Sequence, residues 1–170
     1  MSARNGLREH KIMDRLQSIS RRLLLVGGGA ALVTPLLPHP ATAQPAAPRS
    51  MIVHRDPGCG CCLAWANLAR QAGYAVSLQN SADMSAVKTR LGVPAALTSC
   101  HTAVVGGYVV EGHVPFVALS RLLTQRPADI RGIAVPGMPA GSPGMETSDG
   151  YREPFEVIAF HRNGRTSRFG

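Results

Sequence analysis

Three of the four cysteines in this chain of 170 residues lie in one four-residue segment, Cys59-Gly60-Cys61-Cys62. Residues 51–55 before it, which begin with three apolar side chains, predict a β-strand, and the broad apolar stripe over residues 61–72 predicts a helix. The cysteines therefore lie at a turn between a strand and a helix. Gly58 and Gly60 allow such a turn to fold tightly around a ligand.

The rest of the chain continues the alternation of strands and helices. Strands are predicted at 74–79, 102–105 and 108–111, helices at 83–91 and 115–125, and a C-terminal hairpin at 155–161 and 165–169. Gly106 and Gly107 form a two-residue link, which is a strong hairpin signal. Residues 132–150 are rich in Gly and Pro and are predicted to form a surface loop. The order β-α-β-α-β-β-α predicts an α/β fold, with a thioredoxin-like mixed sheet and flanking helices.

The N-terminus has the features of an export signal. Paired Arg21 and Arg22 precede an apolar stretch at 23–37 that is too short to span a bilayer, and Ala41-Thr42-Ala43 resembles a cleavage site. We therefore predict a signal peptide at 1–43, a flexible lead-in at 44–50 and the folded domain at 51–170. The arginine pair is typical of twin-arginine export to the periplasm, and a Sec signal is the alternative.

The formal net charge of +8 does not indicate a nucleic-acid-binding protein. Six of the 18 Lys and Arg residues lie in the predicted signal peptide, and the others are scattered without a basic run. A scattered excess of positive charge is typical of a solvated surface. We predict neither a nucleic-acid partner nor a stable membrane anchor.

Two kinds of chemistry fit the cysteines. Cys59 and Cys62 form a C-x-x-C pair at the start of a helix, where the helix dipole lowers the pKa of a thiol, as in thiol-disulfide oxidoreductases. However, Cys61 lies between them and could attack a disulfide formed by the pair. Two separate disulfides are not favoured, because only Cys100 is distant from the other three.

The second possibility is a soft-metal site. Three thiolates from one turn, with Cys100 from a distant segment, can surround copper(I), which prefers sulfur ligands. Zinc is the main competitor, but structural zinc sites usually have two spaced ligand pairs, whereas Cys100 and His101 are adjacent. A zinc-stabilised structural module stays open as an alternative.

Four further residues are candidate metal ligands. His101 follows Cys100 directly, and His113 precedes the third predicted helix. Met138 and Met145 lie in the Gly/Pro-rich segment, and their thioethers can bind copper(I). No Ser-His-Asp arrangement, phosphate loop or paired-carboxylate motif is evident, so no catalytic residue is predicted.

Five segments follow one another along the chain: 56–62, 88–94, 99–103, 108–115 and 132–139. In this order they resemble a bacterial family that was long described as a metal-binding domain of unknown function. The family includes periplasmic copper-resistance proteins called CopG, and the resemblance covers about residues 50 to 162. The resemblance implies a thioredoxin-like fold and a multinuclear, cysteine-bridged copper cluster, bound by the C-x-C-C cysteines and the later Cys-His. It also suggests a copper redox role.

The leading hypothesis is a periplasmic copper-binding protein in copper resistance or homeostasis, with other periplasmic copper-handling proteins as partners. A thiol-disulfide oxidoreductase that uses Cys59 and Cys62 is the alternative. In a thioredoxin-like sheet the first and third strands are neighbours, which would bring Cys100 beside the cysteine turn. We therefore expect the four sulfurs to converge only in the folded domain, so that metal binding is coupled to folding.

Overall fold

One mixed sheet of seven strands forms the centre of the domain. The computed structural model describes residues 49–170. The strands are β1 (Arg49–Arg55), β2 (Tyr74–Asn80), β3 (His101–Val105), β4 (Tyr108–Glu111), β5 (Ile130–Ala134), β6 (Ile158–His161) and β7 (Thr166–Arg168). Their order across the sheet is β2-β1-β3-β4-β5-β6-β7. β1 runs parallel to β2, β4 runs parallel to β5, and the other neighbouring pairs are antiparallel.

Three α-helices connect the strands: α1 (Gly60–Gln71), α2 (Met84–Leu91) and α3 (Phe116–Gln125). Their ends follow from the sequence. The Asp83 side chain accepts a hydrogen bond from the Ala86 N–H and caps α2, and Gly92 ends that helix with a φ of 72°. A left-handed residue after the last turn is the common role of glycine at a helix C-terminus. A 3-10 turn at Ala95–Leu97 follows Pro94.

The predicted α/β class, with a mixed sheet and flanking helices, is confirmed. The element order from β1 to α3 is the predicted one, and it is compatible with a thioredoxin-like layout. The predicted C-terminal hairpin is present as the antiparallel pair of β6 and β7. β1 begins at Arg49, two residues earlier than the sequence pattern indicates.

The predicted loop over residues 132–150 is wrong at its start, because Gly132–Ala134 belong to β5. A Cβ at Gly132 would overlap the Val109 carbonyl oxygen and the Phe160 ring. Glycine is therefore required here by close packing between neighbouring strands, rather than by a turn.

The core lies between the sheet and the helices. Its fully buried side chains include Met51, Val53, Trp65, Val110, Leu119, Leu122 and Ile133. Burying each large apolar side chain of this kind contributes about 1.5–3 kcal/mol. This core holds α1 against β1 and β3, so it fixes the helix that begins at the cysteine turn.

The predicted signal peptide at 1–43, with most of the lead-in at 44–50, lies outside the described residues. Within residues 49–170, none of the helices has both the length and the apolar character needed to cross a membrane.

Candidate metal centre

The cysteine turn begins where β1 ends. The Cys59 N–H donates to the Asp56 carbonyl (3.1 Å), and the Gly58 N–H donates to the Asp56 carboxylate (2.7 Å). The buried Arg55 guanidinium donates to the carbonyls of Pro57 (2.6 Å) and Cys59 (3.1 Å). Hydrogen bonds from a charged donor are about twice as strong as neutral ones, so Arg55 fixes the path of the turn.

Cys59 and Cys62 are joined by a disulfide across the first turn of α1, with their Cα atoms 5.5 Å apart. The Cys62 N–H also donates to Cys59 Sγ (3.3 Å), so Cys59 caps the helix. Cys61 and Cys100 are free thiols, and both are half-buried. The C-x-x-C pairing that the sequence left open is therefore present in this structure.

Cys100 reaches the turn because β3 is the neighbour of β1, as predicted. Arg55 at the end of β1 lies opposite His101 at the start of β3. Cys61 Sγ is 3.6 Å from Cys59 Sγ and 3.7 Å from Cys100 Sγ. The sulfurs of all four cysteines lie within 4.8 Å of one another, so the predicted convergence is confirmed.

Two histidines extend the sulfur cluster on the side of Cys100. Cys100 Sγ is 3.3 Å from His101 Nδ1 and 3.0 Å from His113 Nε2. His113 Nδ1 is 2.8 Å from the Pro143 carbonyl oxygen and donates to it, so the lone pair of Nε2 faces the sulfur. A hydrogen bond from the second ring nitrogen is the usual way in which proteins orient a metal-binding imidazole.

His101 is fully buried, and its Nε2 has no hydrogen-bond partner within the described part of the chain. Its ring packs on Trp65 with centroids 4.7 Å apart, and on the edge of His113 at 5.0 Å. Trp65 is fully buried, and its indole N–H donates to the Val114 carbonyl (3.1 Å). Trp65 therefore also fixes the orientation of His101.

Burial dominates the electrostatics of this side of the cluster. Burial, together with the nearby Cys61 thiol, raises the pKa of the Cys100 thiol to about 12. Burial lowers the pKa of His101 and of His113, and for His101 the neighbouring His113 and Lys88 lower it further. Both imidazoles are therefore neutral near pH 7, with lone pairs available to a metal. A metal bound by Cys100 would have to displace its proton.

The Cys100–His101 segment is held from behind by Glu111, which is fully buried. Glu111 Oε1 accepts from the Ser99 N–H (2.7 Å) and from Lys88 Nζ (2.6 Å), and Oε2 accepts from Thr102 Oγ1 (2.6 Å). Ser99 and Thr102 flank the two candidate ligands on either side. This support is not among the features predicted from the sequence, although an acidic residue at the end of an apolar strand is a signal for it.

The two methionines lie on the long segment after β5. The Gly137 N–H donates to the Thr98 carbonyl (3.1 Å), close to Cys100, and Met138 after it is 53% exposed. Gly144 lies against the start of α1, where a Cβ would crowd the backbone of Trp65, and Met145 after it is half-buried. For both methionines, a role as metal ligands stays a prediction.

The donor set fits a soft metal. Within residues 49–170, two overlapping groups could hold an ion, and they share Cys100. One consists of the four cysteines, and the other of Cys100, His101 and His113. In the second group, His101 Nδ1 and His113 Nε2 are the nitrogens that lie beside Cys100 Sγ. The disulfide withdraws two sulfurs, so the complete set exists only after Cys59 and Cys62 are reduced.

Comparison with known proteins gives the family. A family model described as "Protein of unknown function, DUF411" matches residues 97–145. Two solved structures of a copper resistance protein CopG, Form 2 and Form 1, are each 46% identical to this chain. Each covers 72% of this chain, and the matches span 97% and 96% of the solved chains, with TM-scores of 0.68 and 0.67. The chain belongs to the CopG family.

The resemblance to CopG-type proteins that five sequence segments indicate is therefore confirmed. The match to the family model contains Cys100, His101 and His113. Among curated proteins, none matches this chain. Membership of the CopG family and the convergent cysteines together support a copper-related function.

Proposed function

We propose that this domain binds copper(I) through Cys59, Cys61, Cys62 and Cys100, with His101 and His113 completing the donor set, in copper resistance or homeostasis. The observation that carries the proposal is that these ligand atoms, from three separate segments of the chain, form two groups that share Cys100. Thiolates favour copper(I) over hard cations. Two solved relatives are named as copper resistance proteins, which supports the choice of metal.

All four sulfurs become available only when the Cys59–Cys62 disulfide is reduced. A dithiol reductant supplies the two electrons and two protons, and is itself oxidised to a disulfide. The backbone then contributes little to the rearrangement, because Arg55 already fixes the turn and Glu111 already fixes the Cys100 segment. A preformed site of this kind reduces the entropic cost of binding.

Zinc is a serious competitor on geometry alone. Tetrahedral zinc with bonds of about 2.3 Å places its sulfurs about 3.8 Å apart. The distances from Cys61 Sγ to Cys59 Sγ and Cys100 Sγ are 3.6 and 3.7 Å, close to that value. The preference for copper therefore rests on the relatives and on the soft donor set, and it has to be measured by direct competition.

A thiol-disulfide oxidoreductase is the second candidate function, and the Cys59–Cys62 disulfide favours it. The bond lies at the N-terminus of α1, where the helix dipole stabilises a thiolate. The two hypotheses disagree about Cys61. An oxidoreductase needs only Cys59 and Cys62, whereas a copper site also uses Cys61 and Cys100.

The decisive experiment is competition between the reduced protein and a calibrated copper(I) chelator without oxygen, with zinc added in a parallel series. We expect tight copper(I) binding that zinc does not displace. Copper(I) at 1,000 times its Kd stabilises the protein by about 4 kcal/mol. For a domain of this size that raises Tm by on the order of 10–20 °C.

Cys100→Ser should lose most of this rise in Tm while the metal-free protein stays folded, and Cys61→Ser should weaken binding. His113→Gln should also weaken binding, and His161→Gln is its matched control, because His161 pairs with Asp129 and belongs to neither ligand group. If Cys61→Ser binds copper like the wild type and the protein reduces disulfides efficiently, the oxidoreductase is the correct function.

We further propose that the protein acts in the periplasm after removal of residues 1–43, and exchanges copper with other periplasmic copper-handling proteins. The arginine pair and the small residues before Gln44 support export. A copper redox role, which the family resemblance suggests, stays a prediction.

A further inference from the structure

The two free thiols of the domain lie opposite each other. Cys61 Sγ and Cys100 Sγ are 3.7 Å apart and come from positions separated by 39 residues. Both side chains are half-buried, so a small oxidant can reach them. With Cys59 and Cys62 already bonded, the cluster contains one further pair of sulfurs that can be oxidised.

The spacing in the sequence does not favour two disulfides, but the fold places Cys61 beside Cys100. We propose that Cys61 and Cys100 form a second disulfide, so that the cluster has a fully oxidised state with two disulfides and no thiol. A disulfide bond is about 2.05 Å long, so the two sulfurs must approach by about 1.6 Å. Rotation about the Cα–Cβ bond of each cysteine moves its sulfur, and Cys61 lies in the first turn of α1.

The oxidation balances with a low-molecular-weight disulfide as the oxidant. The Cys61 thiolate attacks one sulfur of the oxidant and releases one thiol, which leaves a mixed disulfide on Cys61. Cys100 then attacks Cys61 Sγ, the mixed bond breaks, and a second thiol leaves. Two electrons pass from the protein to the oxidant, and the protons of Cys61 and Cys100 are taken up by the two leaving thiolates.

Cys61 has a competing route, because its sulfur is also 3.6 Å from Cys59 Sγ. Attack there would move the first disulfide to Cys59 and Cys61 and free Cys62. Cys62 is fully buried in α1, so this exchange leaves a thiol where it has little access to solvent. The exchange also oxidises nothing further, so excess oxidant favours the pair of Cys61 and Cys100.

The second disulfide would act as a switch on the metal site. It removes the last two free cysteine sulfurs, so that His101 and His113 are all that remain of the cysteine and histidine donors. The bond itself depends only on the positions of the sulfurs, whereas this consequence for metal binding rests on the proposed function.

The bond can be tested on the purified, metal-free protein. The protein is treated with excess oxidised glutathione, remaining thiols are alkylated, and unreduced peptides are mapped by mass spectrometry. We expect the two alkylatable thiols to be lost and a peptide linking Cys61 to Cys100 to appear. Cys100→Ser should stop at the mixed disulfide on Cys61, and Cys61→Ser should leave Cys100 alkylatable.

Three outcomes would overturn the inference: both thiols still alkylated, a bond from Cys61 to Cys59, or links only between different chains. A second measurement separates the switch from the proposed function. Copper(I) uptake should be lost in the doubly oxidised protein and return on reduction. A linked Cys61–Cys100 peptide without copper binding in either state would retain the disulfide and reject the copper site.

Discussion

The buried ion pair of Lys88 and Glu111 gives the most quantitative prediction, because its contacts are few and its burial is nearly complete. Lys88 is 8% exposed and Glu111 is 0% exposed, with Nζ and Oε1 2.6 Å apart. Lys88 Nζ also donates to Thr102 Oγ1 (3.1 Å). The pair joins α2 to the segment that carries Cys100.

Lys88→Met leaves a buried carboxylate that keeps two of its three donors, the Ser99 N–H and Thr102 Oγ1. Removing one partner of a buried pair costs about 3–5 kcal/mol. Because two donors remain, we expect Lys88→Met to lower the free energy of unfolding by an amount near the lower end of this range, about 3 kcal/mol. Glu111→Leu should cost more, because it leaves a buried ammonium and an unpaired Ser99 N–H.

Urea unfolding measures the loss of stability in Lys88→Met and in Glu111→Leu. With a slope of about 1.5 kcal/mol per M, Lys88→Met should lower the midpoint by about 2 M urea. Arg90→Met is the control, since Arg90 is exposed on the same helix, and it should change stability by less than about 0.5 kcal/mol. The Lys88→Met/Glu111→Leu double variant should be more stable than Glu111→Leu alone, because no buried charge remains unpaired.

If Lys88→Met lowers the urea midpoint by less than about 0.5 M, this reasoning is refuted, because the Glu111 carboxylate would then be stabilised without the Lys88 ammonium. Strict additivity in the double variant would also contradict it, because residues in direct contact should couple.

Two further predictions concern pH and export. The pKa values of His101 and His113 are lowered in the folded state, so the unfolded chain binds their protons at higher pH. Their contribution to stability is complete above about pH 6.5 and is lost as the pH falls through the folded pKa values. Tm of the metal-free protein should therefore decrease as the pH is lowered from about 7.5 to 5.5. If the His101→Gln/His113→Gln double variant shows the same decrease in Tm, the two histidines are not its cause. Replacing Arg21 and Arg22 with Lys should abolish twin-arginine export, and an unchanged periplasmic amount on cell fractionation would favour a Sec signal.

The sequence predicts the local elements well because their signals are local. Gly106 and Gly107 both have positive φ and form the turn between β3 and β4, as their pairing in the sequence indicates. β5 was missed because its evidence is not local. Its five residues contain a glycine, lead into a Gly/Pro-rich segment, and form a strand by pairing with β4 on one side and β6 on the other.

The candidate site also has some features that could be predicted from the sequence and others that could not. The convergence of Cys100 on the turn could be predicted, because it needs only the adjacency of β1 and β3. The pairing of Cys59 with Cys62 could not be chosen from spacing alone, since Cys61 lies between them. The hydrogen bond from His113 to Pro143 depends on a loop 30 residues away, and no periodic pattern encodes it.

The distribution of buried polar groups links the fold to this site. The buried polar or charged side chains among residues 49–170 are Arg55, Lys88, His101, Thr102, Glu111, His113 and Ser142. Two are candidate ligands, one fixes the cysteine turn, three form the network behind Cys100, and Ser142 lies next to the carbonyl that orients His113. Burying a polar group costs free energy unless it is hydrogen-bonded. Apolar side chains at these positions would stabilise the fold without the free-energy cost of burying polar groups. The concentration of buried polar groups around one cluster is therefore best explained by a need to hold the ligands of that cluster in fixed positions. The Lys88 and Glu111 variants test this directly: if the network serves the site, the double variant should regain stability without regaining copper(I) affinity.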